Sequence, residues 1–147
     1  MNNEAVKVDE AAYGRPVPKI EPEAAPYWES LRQHQMKVQR CDACQEWMFP
    51  PTTLCPFCYS EELSWHEVSG RGSVWACVTM HRAYLPAYQD DVPYNVSIVE
   101  LEEGPRVWSN VVGVAPSDIQ VGMPVKVRYD DVTDGLTLAR FVEEQSG

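Results

Sequence analysis

The hydrophobic rhythm of the chain changes near position 70. Between 26 and 35 the apolar residues fall three and four apart, Trp28 with Leu31 and Tyr27 with Leu31. That spacing predicts a short helix over 26–35 with one aromatic face. Pro26 suits the first helical turn, and Glu29 sits near the positive end of the helix dipole. His34 falls at the fraying end and reads as solvent-facing. Met36 and Val38 then alternate with Lys37 and Gln39, which predicts a strand. Further strands are predicted at 47–49, ended by Pro50 and Pro51, and at 63–68, with Leu63 and Trp65 on one face and His66 on the other.

Beyond Gly70-Arg-Gly72, which reads as a turn, a period of two dominates. The segment 73–82 places Val74, Ala76, Val78 and Met80 inward. Strands follow at 94–102, 106–114, 125–130 (Val125, Val127 and Tyr129 inward) and 136–142. Turns at 102–105, 121–124 and 131–135 separate them, and 116–120 fits one helical turn with Ser117 or Asp118 near its cap. Five strands with a helical turn between the third and fourth is the chain order of an OB-fold barrel; a five-stranded sandwich or SH3-like barrel shares the periodicity. Ahead of all this, 1–25 holds Pro16, Pro18, Pro22 and scattered glutamates without apolar periodicity. It reads as an extended tail, either disordered or ordered against a partner chain.

The chemistry sits between the two rhythms. Cys41 pairs with Cys44, and Cys55 with Cys58, each as Cys-x-x-Cys with ten residues between the pairs. Four thiolates at this spacing can close a tetrahedron around one soft cation, and a shell with no open position is a structural zinc site. Two disulfides, unrelated thiols, or iron in the same S₄ shell are the alternatives. The residue after the second cysteine of such a knuckle often takes φ > 0, where Gly is cheapest; here Gln45 and Tyr59 occupy those places. The fold class that results is mainly β: an N-terminal helix and rubredoxin-like zinc ribbon over 26–69, a five-stranded OB-fold barrel over 70–143, and a C-terminal tail at 144–147.

Charge and composition narrow the function. The chain has 147 residues and a formal net charge of −10. From Gly70 onward six Lys or Arg face eleven Asp or Glu. That balance disfavours nucleic acid, including a single-stranded nucleic-acid-binding OB-fold, and disfavours an anionic membrane surface. No stretch approaches the ~18 apolar residues of a membrane-spanning helix, and no basic segment precedes an apolar run at the start. Thiolate ligands and an odd fifth cysteine fit a reducing cytoplasm. Cys77, that fifth cysteine, lies mid-strand and reads as a packing residue. His81 points the same way but roughly 13 Å further along an extended strand, too far for a nucleophile–base pair. No catalytic set stands out. The loop 83–93 is unusual, with Tyr84, Leu85 and Tyr88 on it and Arg82 at its base. It reads either as a plug for the barrel or as a contact surface.

In order along the chain stand Pro26-Tyr-Trp28, Met36-Lys-Val-Gln-Arg-Cys41, Phe49-Pro-Pro51, Cys55-Pro-Phe-Cys58, Val68-Ser-Gly-Arg-Gly72, Pro93-Tyr94, Leu101-Glu-Glu-Gly-Pro105 and Val121-Gly-Met-Pro124. This set resembles the small zinc-ribbon plus OB-fold proteins that accompany thiolases and other acyl-CoA enzymes. The resemblance covers roughly 26–143; Gln45 and Tyr59 depart from it, since the family often has Gly after each knuckle. It implies a non-catalytic accessory subunit holding structural Zn²⁺ and assembled with a thiolase-fold acyl-CoA enzyme. It also implies that some relatives partner a hydratase or an aldolase. The partner would hold most of the acyl-CoA, and this chain would stabilise the assembly and shape or cover that site. Trp28, Arg82, Tyr84 and Tyr88 are the candidate contacts.

Overall fold

The computed structural model describes residues 13–145. The tail expectation for 1–12, and for 146–147, lies outside the described residues. A short turn at Pro22–Ala24 leads into helix α1, Ala25–Arg32. Tyr27 and Leu31 of its aromatic face are buried, as their spacing requires. Ser30 Oγ donates to the Tyr27 carbonyl (2.6 Å) and accepts the Lys37 N–H (3.1 Å), which ties the helix to the chain that follows.

The helix is closed by His34. That residue takes φ 56, the left-handed conformation in which Gly usually closes a helix. Its ring stacks on Tyr129 (4.9 Å, 7° between planes), and its Nε2 hydrogen bonds to Asp131 at 3.0 Å. His34 is thus exposed, as expected, and also ties the helix to the second sheet.

A three-stranded sheet follows, in the order β2–β1–β3, built from β1 (Lys37–Cys41), β2 (Trp47–Met48) and β3 (Leu63–Glu67). Val38 is buried as expected, but so is Gln39 on the opposite face. Its amide is saturated by the Thr52 backbone: Nε2 donates to the Thr52 carbonyl (2.8 Å) and Oε1 accepts the Thr52 N–H (2.9 Å).

The second sheet contains β4 (Arg71–Met80), β5 (Tyr94–Leu101), β6 (Arg106–Ser109), β7 (Val111–Val112), β8 (Pro124–Thr133) and β9 (Leu136–Glu143). They run in the order β6–β5–β4–β8–β9–β7, with β7 parallel to β9 and every other pair antiparallel. The single strand expected at 106–114 is therefore two strands. Asn110 joins them, so that one segment pairs with β5 and then, across its break, with β9. The result is OB-like, with six strands in place of the five expected, and not a closed barrel: its end strands β6 and β7 are joined through Asn110 and not by a ladder. The turn at Pro116–Asp118 is present, but neither Ser117 nor Asp118 caps it.

Two expectations about β4 change. Gly70-Arg-Gly72 is not a free turn, because β4 begins at Arg71. A Cβ at Gly72 would lie 2.1 Å from the Glu100 carbonyl oxygen, so only glycine lets the two strands approach this closely. A β-bulge also separates Val74 from Ala76. Val74 faces the core, but Trp75 is the extra residue, and beyond it the alternation inverts. Cys77 turns inward opposite buried Ser97, while Val78, expected inside, is 58% exposed opposite Val96. The expected turn at 131–135 is likewise shorter, because β8 runs on to Thr133.

The main core runs from Tyr27 and Leu31 through Met36, Val38 and Val68 to Val99, Val125 and Phe141. It crosses the Gly70 junction without a break. A separate small cluster surrounds Cys41, Met48 and Cys55.

Candidate metal centre and contact groove

The two knuckles are built alike. In the first, the Cys41 N–H donates to the Glu46 carbonyl and the Gln45 N–H to the Cys41 carbonyl, both at 2.9 Å. In the second, the Cys55 N–H donates to the Ser60 carbonyl and the Tyr59 N–H to the Cys55 carbonyl, again at 2.9 Å. Closing each loop takes one left-handed residue, and Gln45 (φ 69) and Tyr59 (φ 62) supply it. The knuckles therefore have their usual shape and carry backbone strain, on the order of 1 kcal/mol per position. Gln45 also uses its side chain, donating from Nε2 to the Asp42 carbonyl at 2.9 Å.

This geometry brings the four sulfurs together. Cys41 Sγ lies 3.5 Å from Cys58 Sγ, and Cys44 Sγ lies 3.7 Å from Cys55 Sγ. All four lie within 4.8 Å of one another. A zinc ion with Zn–S bonds of about 2.3 Å needs sulfurs about 3.8 Å apart, so the cage matches zinc in size. The cysteines are free thiols, and the disulfide alternative is excluded. The Cys44 N–H points at Cys41 Sγ and the Phe57 N–H at Cys55 Sγ, both at 3.4 Å, donors that favour thiolate. The Cys44 N–H holds the Cys41 thiol down at about 7. At Cys44 the Glu46 N–H acts the same way, but burial and the neighbouring sulfurs outweigh it and push that thiol up to about 12. Crowded thiols of unequal acidity release protons when a divalent cation neutralises them. The donor set is closed, so a cation held here would be structural, and the four sulfurs fit Zn²⁺ in number, type and spacing. His66 takes no part; it hydrogen bonds to Ser64 Oγ at 3.0 Å and packs on Trp47.

The contact candidates separate into two groups. Tyr84 is 70% exposed at the loop tip, with the Arg82 guanidinium 5.3 Å from its ring centroid. Tyr88 lies lower, in the turn Pro86–Tyr88, where Arg15 covers its ring at 5.0 Å and forms an ion pair with Asp91. Trp28 and Tyr88 share a groove of about 730 Å³ between α1, this loop and the second sheet; Tyr94, Val96, Trp108 and Leu138 are among the other residues that line it. Arg82 and Tyr84 are outside it. The sequence reading missed Trp108, Val96 and Arg15. Trp108 lies within the strand expected over 106–114, but no facing was read for that segment. Cys77 is half-buried against the main core, as a packing residue. Among the described residues, no helix is long and apolar enough to cross a membrane.

Two family models match adjoining stretches of the chain. Residues 28–64 match the ChsH2 rubredoxin-like zinc ribbon domain, and residues 65–130 match the ChsH2 C-terminal OB-fold domain. The chain is 38% identical over 127 residues to a probable enoyl-CoA hydratase alpha subunit of Thermomonospora curvata, covering 86% of this chain and 39% of that subunit. It thus spans about two-fifths of the length of that relative. It is 30% identical to a DUF35 domain-containing scaffold protein of Methanocaldococcus jannaschii, covering 74% of this chain and 81% of that one. A solved structure described as an Ltp2-ChsH2(DUF35) aldolase superposes with a TM-score of 0.76 at 36% identity, over 86% of this chain and 98% of that one. Paired knuckles, an OB-like second sheet and these matches together place the chain in the ChsH2-type DUF35 family of zinc-ribbon plus OB-fold proteins.

Proposed function

We propose that this chain is a non-catalytic accessory subunit of an acyl-CoA enzyme complex, with a thiolase-fold enzyme as its partner. The aromatic groove carries the reading. Trp28 and Tyr88 line it together, beside an exposed Tyr84 and a metal site with no open position for chemistry. Aromatic and arginine anchors of this kind dominate protein interfaces. The partner supplies the reacting groups and holds the acyl-CoA, and this chain stabilises the assembly and borders the substrate entrance. A hydratase or aldolase partner is the second reading, favoured by two similar proteins, a probable enoyl-CoA hydratase alpha subunit and an Ltp2-ChsH2(DUF35) aldolase.

The test is affinity purification of the tagged chain from its native source, with mass spectrometry and size-exclusion chromatography of the product. The chain co-elutes with an acyl-CoA enzyme, whose fold decides between the two readings. Alanine at Trp28, Arg82, Tyr84 or Tyr88 weakens the complex about thirtyfold where the residue is a true anchor. The partner's turnover then falls with its own residues intact. A chain that elutes alone ends the proposal.

A further inference from the structure

The outer face of the β4–β5–β6 sheet is apolar where an ordinary solvated face would be polar. On β5 the buried residues alternate strictly: Asn95, Ser97, Val99 and Leu101 point inward. Their outward neighbours include Val96, 42% exposed, opposite Val78 at 58% on β4. Ile98 lies between Ala76 on β4 and Trp108 on β6, and Trp108 is 67% exposed. Trp75, at 45%, joins them because the bulge gives β4 one extra residue. Without that bulge Val78 would fall in the inward row. Antiparallel sheets with one free face alternate apolar-in and polar-out, and apolar residues on both faces mark a sheet covered on both sides.

The face is also preorganised. The Arg106 guanidinium lies over the Trp75 ring at 4.0 Å while its Nε donates to Glu100 at 3.0 Å, so the indole is held in place before anything binds. Val96 and Trp108 line the groove that holds Trp28 and Tyr88, so the sheet face and the groove are one continuous surface. A second copy of this chain is a poor occupant, because each copy carries a net charge of −10 and face-to-face packing sets like against like. Residues 1–12 are a poor occupant too, since Val6 and Val8 are their only large apolar side chains apart from Met1.

We infer that the outer face of β4–β5–β6, centred on Trp108 and Val78, is the seat of the enzyme subunit proposed above, which brings an apolar patch rimmed by cationic side chains. The inference rests on that functional reading and adds a location to it.

The experiment is hydroxyl-radical footprinting of the free chain and of the affinity-purified complex, paired with binding measurements on Trp108→Glu and Val78→Lys. Trp75 and Trp108 are expected to label readily in the free chain and to be protected in the complex. Each charge variant weakens the complex by roughly thirtyfold or more. Trp108→Ala, with unchanged zinc content and thermal midpoint, gives the same direction should a charge variant fold poorly. If the enzyme co-purifies while both tryptophans stay reactive, the function stands and the seat is overturned. Protection already present in the free monomer overturns it in favour of the chain's own arm. A dimer in sedimentation that Trp108→Glu dissolves overturns it in favour of a second copy. If no acyl-CoA enzyme co-purifies, the functional reading itself fails, and the occupant falls with it.

Discussion

Around the sulfur cage, Cys41, Met48 and Cys55 are the whole of a small buried cluster, with Cys44 and Leu63 leaning on it. The barrel is different: Val74, Val99, Leu101, Val107, Val125 and Phe141 fill one core, and that core continues into α1 and the near ends of β1 and β3. The tip of the ribbon has too little apolar surface to fold without a metal, whereas the rest has enough to fold with none. The line that matters energetically therefore does not fall at Gly70, where the two sequence rhythms meet. It falls inside the ribbon, between the knuckles and everything packed beneath them.

Removing the metal should separate the two regions most sharply. Structural zinc sites contribute roughly 10–16 kcal/mol of apparent binding energy, so a strong chelator at neutral pH unfolds the tip. Hydrogen exchange then shows amides across 41–62 losing protection while those of β5, β8 and β9 keep theirs. Loss of both together would mean that the line drawn here is wrong. The complementary break is Phe141→Ala, which removes the largest fully buried side chain of the barrel. It should lower global stability by about 3–5 kcal/mol in denaturant unfolding and leave zinc stoichiometry unchanged.

A smaller effect sharpens the picture of the tip. Tyr59→Gly removes a left-handed non-glycine residue that is 73% exposed. The gain is about 1 kcal/mol before the entropy of the unfolded glycine is subtracted, read as slower zinc loss to a chelator. The smallest effect concerns the joint between helix and barrel. The Thr137 hydroxyl, and after it His34, holds the Asp131 carboxyl below its ordinary value. A lowered native value means that this contribution is complete above the usual carboxylate range, about pH 4, and fades as pH falls through the native value. Asp131→Asn should lower the thermal midpoint slightly near neutrality, where the contribution is complete, and converge with the parent chain at acid pH, so that the acid limb flattens.

What was legible in the sequence was what is local. The cysteine spacing sets the knuckles because each closes over its own neighbours, and the helix is readable from Tyr27, Trp28 and Leu31 for the same reason. Left-handed Gln45 and Tyr59 were visible too, since their position within the knuckle demands that conformation. The bulge at Trp75 was not: perfect alternation of Val74, Ala76, Val78 and Met80 fits a regular strand, and only pairing with β5 reveals the extra residue. His34 is exposed as read, but its partners, Tyr129 and Asp131, lie almost a hundred positions away and were not legible. Gln39 was misread because a polar residue in an alternating strand signals solvent unless a neighbouring backbone segment, here half-buried Thr52, takes its amide.

Asn95 holds the break between β6 and β7. It is buried, its Nδ2 donates to the Val111 carbonyl at 2.7 Å, and its Oδ1 accepts the Val111 N–H at 2.9 Å and the Ser97 hydroxyl at 2.7 Å. The side chain thereby impersonates a peptide group, offering Val111 the donor and acceptor that a neighbouring strand would. Continuity around the sheet at this point is written into one residue instead of being shared along a ladder. A leucine of the same bulk would strand both polar groups of Val111, and an aspartate would set an anion against a carbonyl oxygen. Asparagine alone combines the reach with both polarities, so this stretch of main chain has, in effect, a single-letter spelling.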